Sequence, residues 1–309
     1  MSAYLDCNAT TPLEPRVLEI LRFFFETEFG NSGSRTHEFG ARAKQAVETA
    51  RRQVAEVVQA DPDEVTFTSG ATESNNLAIL GLAGYGEKTG CRHIVTTAIE
   101  HKAVLEPVEY LRQQGFDVTI VPPTAGGWVD AEAIARACRK DTLLVSVMQV
   151  NNETGVIQPI PEICARLAEY AAFFHVDAAQ GFGKEIEPLT NKRIDLISIS
   201  AHKIYGPKGV GALSARRRGF SRAPLQPLVH GGGQERGLRP GTLPVPLIAA
   251  LGEAAQLALA EHASRRKACL AIRQKLLAAL KPLNPLVNGD PNRTMPHVLN
   301  LSIPGVDSE

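Results

Sequence analysis

The sequence predicts an α/β fold with a mostly parallel central sheet and helices on both faces of that sheet. Two observations predict it. Between about residues 40 and 215, strand-like and helix-like segments alternate, which is the order that parallel strands joined by helices require. Several of the strand-like segments are apolar on both faces, as expected for strands covered by helices on each side.

The elements follow one another regularly. FGARAKQAVETARRQVAEVV has the periodicity of an amphipathic helix, EVTFTSG is a short strand and TESNNLAILGLA is the next helix. Further strands are expected at RHIVTTA, DVTIVPP, LLVSVMQV, FFHVDAA and IDLISIS, with the helices KAVLEPVEYLRQQG and IPEICARLAEYAA between them. One long helix, VPLIAALGEAAQLALAEHASRRKACLAIRQKLLAAL, then leads out of the sheet, and LVNGDPNRTMPHVLNLSIPG begins a new unit that contains strands.

The amino-acid composition and the charge balance argue against several functional classes. The chain has 309 residues, of which 44% are hydrophobic and 21% charged, as in an ordinary soluble protein of one large and one smaller domain. The 33 basic residues equal the 33 acidic ones, so nothing suggests binding to nucleic acid or to an anionic membrane. The sequence has no secretory signal pattern, and no apolar run reaches the roughly 18 to 20 residues that span a bilayer.

The cysteines indicate a reducing compartment. Five of them are scattered along the chain without a CxxC pair. An odd, dispersed set is typical of reduced thiols rather than of a disulfide framework or a zinc site. We therefore expect a cytoplasmic protein without a bound metal.

Polar side chains follow several of the predicted strands. Because ligands bind at the carboxyl ends of the strands in such sheets, we expect these side chains to meet in one place. They are Ser200 at the end of IDLISIS with His202 and Lys203 just beyond it, Asp177 and Gln180 at the end of FFHVDAAQ, Asn151, Asn152 and Glu153 after LLVSVMQV, and His101, which we predict to end the strand RHIVTTAIEH.

The stretch VTFTSGATESNN predicts a strand, a glycine-containing turn and the start of a helix. This arrangement directs free backbone N–H groups and the positive end of the helix towards an anion. A phosphate-binding turn, a lysine, an aspartate and an imidazole at one sheet edge are the groups that pyridoxal phosphate (PLP) requires. The lysine pKa, ~10.4 in water, must fall for its amine to react at neutral pH, and burial at a strand end lowers it.

Each of these groups also has a purely structural interpretation. The SGAT segment fits a plain strand-to-helix turn, and NNETG fits turn chemistry alone. His101 could be a hydrogen-bonded structural histidine, Asp177 a helix cap and Lys203 a solvated lysine. The cofactor hypothesis is favoured because several separate strands each end in a group that PLP needs.

An ordered set of motifs resembles a known family. The motifs are YLDCNATTP, FGNSGSRTHEFG, FTSGATESNN, EHKAV, VNNETG, HVDAAQ, SAHKIYGPKGVGAL and HGGGQERGLRPGT. Together they resemble the NifS/IscS-like cysteine desulfurases, which are class V aminotransferase-like PLP enzymes of fold type I. VNNETG and HKIYGPKGVGAL are closer to the NifS/IscS group than to the SufS-like group. FGNSGS for FGNPxS, RPGT for RSGT and AHK for GHK are local departures.

The resemblance implies a domain organisation. Residues 1–15 would form an N-terminal segment associated with the small domain, and residues 16–258 the large PLP-binding domain. Residues 259–309 would begin a smaller, incomplete C-terminal α+β domain.

The resemblance also implies roles for the residues around the cofactor ring. Lys203 would form the Schiff base with PLP, and Asp177 would pair with the ring nitrogen. His101 would stack on the ring and move protons. Asn152 and Gln180 would lie near the ring hydroxyl and the substrate.

Further residues are implied for the cofactor phosphate and the substrate carboxylate. The phosphate would be held by Ala71 and Thr72, together with Ser200 and His202. Thr242 would reach the phosphate from the other subunit, which implies a homodimer. Asn31 would lie near the carboxylate of the substrate.

The implied reaction is a sulfur transfer. L-Cysteine would give L-alanine and an enzyme persulfide, which then supplies a sulfur-acceptor protein in iron–sulfur cluster assembly, tRNA thiolation or DNA phosphorothioation. The nucleophilic cysteine and a carboxylate-binding arginine of this family would lie beyond residue 309, and Cys7 occupies only the variable part of LDxxATT. We therefore expect a shortened form of a longer chain, and we expect a chain ending at Glu309 to release no sulfide.

Two alternatives remain at this stage. A related class V enzyme, such as a selenocysteine lyase or a cysteine/cystine lyase, could use the same PLP site. A non-catalytic, PLP-holding scaffold for sulfur acceptors is the alternative from another functional class.

Overall fold

The computed structural model of the protein describes residues 3–306. Its centre is a seven-stranded sheet. The strands are β1 Val65–Thr68, β2 His93–Thr97, β3 Asp117–Val121, β4 Thr142–Met148, β5 Phe173–Asp177, β6 Leu196–Ser200 and β7 Gly211–Ala215, and a separate pair consists of β8 Leu286–Val287 and β9 Leu301–Ser302. The helices are α1 Pro15–Glu26, α2 Glu38–Val58, α3 Ala71–Leu80, α4 Ala83–Thr89, α5 Lys102–Gln113, α6 Ala131–Ala137, α7 Ile160–Arg166, α8 Val245–Ala260 and α9 His262–Leu280.

The sheet is mostly parallel, as predicted. Its strand order is β1-β7-β6-β5-β4-β2-β3. The pairs from β6 to β3 are all parallel, whereas β7 runs antiparallel to both β6 and β1. We did not predict β7, because its sequence GALSA lacks a β-branched residue and β-branched residues are a main sequence signal for a strand.

Burial explains why the central strands are apolar on both faces. Every residue of β2, β4 and β6 is buried, so helices must cover both sides of the sheet. The polar side chains inside are paired across strands: Ser146 Oγ and Ser198 Oγ lie 2.8 and 2.9 Å from the two ring nitrogens of His175. Strand β3 lies at the edge, and its Asp117 and Ile120 are exposed.

Helices α1, α2 and α8 pack together over one face of the sheet. Small and β-branched side chains predominate in their shared core. It includes Val17 of α1, Val47 and Val54 of α2, and Ile248 and Leu251 of α8.

The predicted single long helix is wrong in one respect, because it is divided at Glu261. Glu261 has φ −103° and ψ 6°, and its carboxylate accepts hydrogen bonds from Arg265 and Arg16. Helix α8 is largely buried, whereas α9 has no buried residue, so the two halves lie in different environments. The predicted boundary at 258/259 falls close to this break, and the domain division itself stays a prediction.

Strands β8 and β9 pair antiparallel, in the segment where the sequence indicates a new strand-containing unit. Within residues 3–306, none of the helices is both long enough and apolar enough to cross a bilayer.

Candidate active site

A cavity of about 700 Å³ opens where β4, β5 and β6 end and α3 begins. This is the carboxyl edge of the parallel strands, where ligands bind in α/β sheets. The cavity is lined by the predicted residues Ala71, Thr72, His101, Asn152, Asp177, Gln180, Ser200, His202 and Lys203. The structure thus brings together side chains that are up to 132 positions apart in the sequence.

Lys203 lies in the single helical turn Ala201–Lys203 that follows β6. Its Nζ donates hydrogen bonds to the carbonyl oxygens of Ala9, at 2.8 Å, and of Asn8. Burial lowers the pKa of Lys203, although Asp6 and Asp177 act in the opposite direction. The amine is therefore more readily neutral, and more nucleophilic at neutral pH, than that of a solvated lysine.

The N-terminal segment holds the turn that carries Lys203. The backbone N–H of Thr11 donates to the carbonyl oxygen of His202 at 3.0 Å, and the Thr11 hydroxyl accepts from the N–H of Tyr205 at 2.9 Å. Tyr205 has φ 66°, a strained conformation for a residue with a side chain. These contacts fix the backbone on which the lysine depends.

Asp177 ends β5 and is only 5% exposed. Its Oδ2 accepts from Asn75 Nδ2 at 2.7 Å, and its Oδ1 accepts from the N–H of Ala179 at 2.9 Å. Burial raises the pKa of Asp177, and these hydrogen bonds together with the charges of His101 and Lys203 oppose the rise. The interpretation of Asp177 as a helix cap is wrong, because a turn and not a helix follows β5. Asp177 is instead a buried carboxyl group that a cation in the cavity would hold ionised.

The predicted anion-binding turn lies between β1 and α3. Gly70 has φ 151° and precedes the first residue of α3, a conformation that side chains rarely adopt. A Cβ on Gly211 of β7 would lie 2.6 Å from the Cα of Gly70, so glycine is required there for the turn to pack on the sheet. The first N–H groups of α3 have no partners within the helix, and Ala71 and Thr72 line the cavity, so these groups are available to an anion.

The prediction that His101 ends a strand is wrong. Strand β2 ends at Thr97, and His101 is the residue that caps α5. Its Nδ1 accepts from the N–H of Ala103 at 3.0 Å, which leaves Nε2 as the nitrogen that can exchange protons at the cavity. The histidine is thus structurally anchored and also lines the cavity, so its two interpretations are compatible.

Asn152 and Gln180 both form a hydrogen bond with Asn8 of the N-terminal segment. Asn8 Nδ2 donates to the carbonyl oxygen of Asn152 at 3.1 Å, and Gln180 Nε2 donates to the carbonyl oxygen of Asn8 at 2.9 Å. By contrast, Asn31 and Thr242 are exposed and do not line the cavity of this chain. Asn31 Oδ1 instead accepts from the N–H of Gly33 at 2.8 Å.

Sequence reasoning missed several lining residues. Asp6, Asn8 and Ala9 lie in YLDCNATTP, a motif without helix or strand periodicity, and Lys208 lies just beyond AHKIYGP. Asn75 was missed although it follows Ala71 by four positions, which places both on one face of α3.

The sequence profile described as aminotransferase class-V matches residues 3–309. The chain belongs to the class-V aminotransferase family. The cysteine desulfurase IscS of Methylococcus capsulatus is 48% identical to it over 310 residues, which cover 100% of this chain and 76% of that relative.

Two solved structures resemble this class-V aminotransferase closely. DndA from Streptomyces lividans has a TM-score of 0.91 and 55% identity, over 99% of this chain and 86% of that one. SspA in complex with cysteine has a TM-score of 0.83 and 38% identity, over 96% of this chain and 82% of that one. The predicted family and fold are confirmed.

Class-V aminotransferases are PLP enzymes, and the residues of this cavity fit the cofactor. Two buried acceptors, Asn75 Oδ1 and Gln180 Oε1, have no hydrogen-bond partner among the described residues, and a buried polar atom without a partner is costly. The cavity also offers an amine, a buried carboxyl and a helix N-terminus, in a volume suited to a small ligand.

One buried acid of this class-V aminotransferase was not predicted. Glu100 precedes His101 and is 6% exposed. Its Oε1 accepts from the Thr97 hydroxyl at 2.7 Å and from the N–H of Met148 at 2.8 Å, while Oε2 is buried without a partner in the described structure. Burial raises the pKa of Glu100 from 4.5 to about 8, and the charge of Asp177 adds to the rise.

This acid predicts a pH dependence of stability. Because its pKa is higher in the folded state, the stabilisation by the neutral carboxyl is fully present below about pH 4.5 and is lost as pH rises through about 8. In urea unfolding, Glu100→Gln should match the wild type at pH 4.5 and exceed it at pH 8.5, by up to about 5 kcal/mol.

The matched control is Glu106→Gln, which alters an exposed glutamate on α5. It should leave the pH dependence of unfolding unchanged. Parallel curves for Glu100→Gln and the wild type between pH 4.5 and 8.5 would contradict the assignment of a buried neutral carboxyl.

Proposed function

We propose that this chain is a PLP-dependent cysteine desulfurase, which transfers the sulfur of L-cysteine to a protein thiol and releases L-alanine. The reaction balances as L-cysteine plus a thiol giving L-alanine plus a persulfide. One observation carries the proposal. The Lys203 amine, the buried Asp177 carboxyl and the N-terminus of α3 line a single cavity, in a chain 48% identical over its whole length to a cysteine desulfurase.

We propose the following assignment for the cofactor. Lys203 would hold the PLP aldehyde covalently, and the Asp177 carboxylate would pair with the ring nitrogen. The phosphate is held by Ala71, Thr72, Ser200 and His202. When bound, PLP acts as an electron sink for the α-carbon of the substrate.

Side chains of the protein would carry out the proton transfers and orient the substrate. As a free amine, Lys203, whose pKa burial lowers, would take up and return protons at the substrate α-carbon, and His101 would move protons through Nε2. Both must lie within hydrogen-bond reach of the reacting atoms, and both line the cavity. Asn152 and Gln180 orient the substrate and the ring hydroxyl, and Asn31 is proposed near the substrate carboxylate.

The thiol that accepts the sulfur is not one of the five cysteines, in our proposal. All five are free and none lines the cavity. Burial raises the pKa of Cys138 to about 11 and that of Cys164 to about 12, and it also raises the pKa of Cys269. Because the thiolate is the nucleophile, these three are poor acceptors. Cys7 and Cys91 do not line the cavity, and we propose that neither of them accepts the sulfur.

The wider setting is proposed as follows. The enzyme acts on L-cysteine, in keeping with the similar structure of SspA in complex with cysteine. It works as a homodimer in which Thr242 reaches the phosphate of the partner subunit, and it hands the sulfur to an acceptor protein. Its free thiols favour a cytoplasmic location.

The decisive experiment measures the products formed from L-cysteine. The complete gene product, loaded with PLP and supplied with dithiothreitol, should form alanine and sulfide in equal amounts. The variant Cys7→Ser, which alters the cysteine next to the cavity residues Asp6 and Asn8, should form alanine at the wild-type rate.

Other products would identify the alternatives. Pyruvate and ammonia in place of alanine would indicate a lyase, and activity with selenocysteine alone would indicate a selenocysteine lyase. A protein that binds PLP but forms no alanine would be a scaffold. Loss of alanine formation in Cys7→Ser would move the accepting thiol into this chain.

A further inference from the structure

We infer that residues 230–242, termed here the glycine loop, clamp the phosphate-binding turn of their own chain and so determine its preference for a phosphorylated aldehyde. Glu235 and Arg239 are the positioning residues. The inference rests on the proposed PLP site and adds the residues that set the affinity of that site for the phosphate group. The sequence of the glycine loop is HGGGQERGLRPGT.

The first anchor is a buried ion pair. Glu235 is 8% exposed and Arg51 is 5% exposed. Two guanidinium nitrogens of Arg51 donate to the two carboxylate oxygens of Glu235, at 2.8 and 2.6 Å. This bidentate geometry is the strongest form of the contact.

The ion pair also forms hydrogen bonds with the backbone of strand β1, which leads into the phosphate-binding turn. Arg51 Nη1 donates to the carbonyl oxygen of Val65 at 2.6 Å, and Glu235 Oε2 accepts from the N–H of Phe67 at 2.9 Å. The ion pair thus has further hydrogen-bond partners, as a buried pair requires. The backbone of β1 is fixed two residues before Ser69.

The loop backbone is strained at this anchor. Glu235 and Arg236 both have left-handed conformations, with φ of 47° and 59°. Each such residue with a side chain costs roughly 1–2 kcal/mol. Two in succession persist only where other contacts determine the conformation, and the Arg51–Glu235 pair supplies them.

The second anchor lies on the other side of the turn. Arg239 Nε donates to Glu73 Oε1 at 2.9 Å, and Glu73 Oε2 accepts from the N–H of Ser69 at 2.6 Å. Glu73 belongs to the first turn of α3. The glycine loop therefore contacts the segments before and after Gly70.

The second anchor also adjusts the charge of the site. A carboxylate at Glu73 would repel a phosphate bound at the same helix end. Pairing with Arg239 compensates that charge, and the bond from Ser69 holds the carboxylate at the base of the turn. The N–H groups of Ala71 and Thr72 stay available for the anion.

The test compares two aldehydes that differ only in the phosphate. Dissociation constants of the apoprotein for PLP and for pyridoxal are measured by absorbance titration, in the wild type and in Arg239→Gln and Glu235→Gln. We expect each variant to bind PLP at least about tenfold more weakly, while its affinity for pyridoxal stays within about twofold. A general loss of structure would weaken the binding of both aldehydes.

The matched control is Arg222→Gln, since Arg222 is an exposed arginine that pairs with Asp63 at 2.9 Å and does not contact the turn. It should keep the wild-type ratio of the two constants. Arg239 is only partly buried, so Arg239→Gln provides a folded variant even if Glu235→Gln, checked by circular dichroism, does not fold.

Two outcomes distinguish a failure of the proposed clamp from a failure of the proposed PLP site. A wild type that prefers PLP, with an Arg239→Gln variant that keeps the wild-type ratio, overturns the clamp alone. A wild type that binds neither aldehyde overturns the proposed PLP site, and the clamp with it.

Discussion

Replacing Lys203 with alanine should abolish the yellow absorbance of the protein with PLP and lower alanine formation by about 10⁴-fold or more. The reason is that the amine is the proposed covalent attachment point of the cofactor and one of its proton carriers. The measurements are the visible spectrum after dialysis against PLP and the rate of alanine formation by the complete gene product.

The chain offers a demanding control for this result. Lys184 is a second lysine whose pKa burial lowers, to about 8, and the charge of Lys203 contributes. Lys184 Nζ lies 3.4 Å from His297 Nε2, and Lys184 does not line the cavity. Lys184→Ala should therefore stay yellow, and borohydride reduction followed by peptide mapping should label Lys203. A label on Lys184 would refute the assignment.

Replacing Asp177 with asparagine should lower kcat by about 10³-fold, equivalent to about 4 kcal/mol, while PLP still binds. An amide cannot hold the ring nitrogen protonated as a carboxylate does, so the electron sink weakens. The fold should persist, because the substitution also removes a buried carboxyl whose pKa burial raises. Steady-state kinetics and thermal unfolding measure the two effects separately.

Asp195→Asn is the matched control, because Asp195 is as buried as Asp177, with 4% against 5% exposure. Asp195 pairs with Arg193 at 2.9 Å and with Arg218 at 2.6 Å and does not line the cavity. Its loss should lower the unfolding temperature and leave kcat of the PLP-loaded enzyme unchanged. If both variants lose stability and keep kcat, Asp177 has no role at the ring.

The position of the site could be predicted from the sequence because its signals are local. A buried parallel strand is a continuous apolar run, and the next polar residues must emerge at its carboxyl edge. This reasoning placed Asp177 and Lys203 correctly at one edge. It extended the strand before His101 too far, because a histidine that caps a helix and one that ends a strand are both followed by a new element.

Other features depend on contacts between distant segments, which no local pattern contains. The carbonyl oxygens of Asn8 and Ala9 that accept from Lys203 lie in a segment without periodicity, and its role depends on contacts with His202 and Tyr205. The Glu235–Arg51 pair joins residues 184 positions apart. The break at Glu261 was hidden because helical periodicity continues through it, whereas the change from a buried to an exposed helix is visible only in three dimensions.

The partnership between Lys203 and the beginning of the chain also has a consequence for biosynthesis. Lys203 and Asn8 are 195 positions apart, and strands β1 to β6 lie between them, so the ribosome must synthesise all six strands before the lysine can meet its carbonyl partners. Contacts of such large sequence separation form late in folding. The contact that holds the amine is consequently among those that the folding chain completes after its local helices and turns.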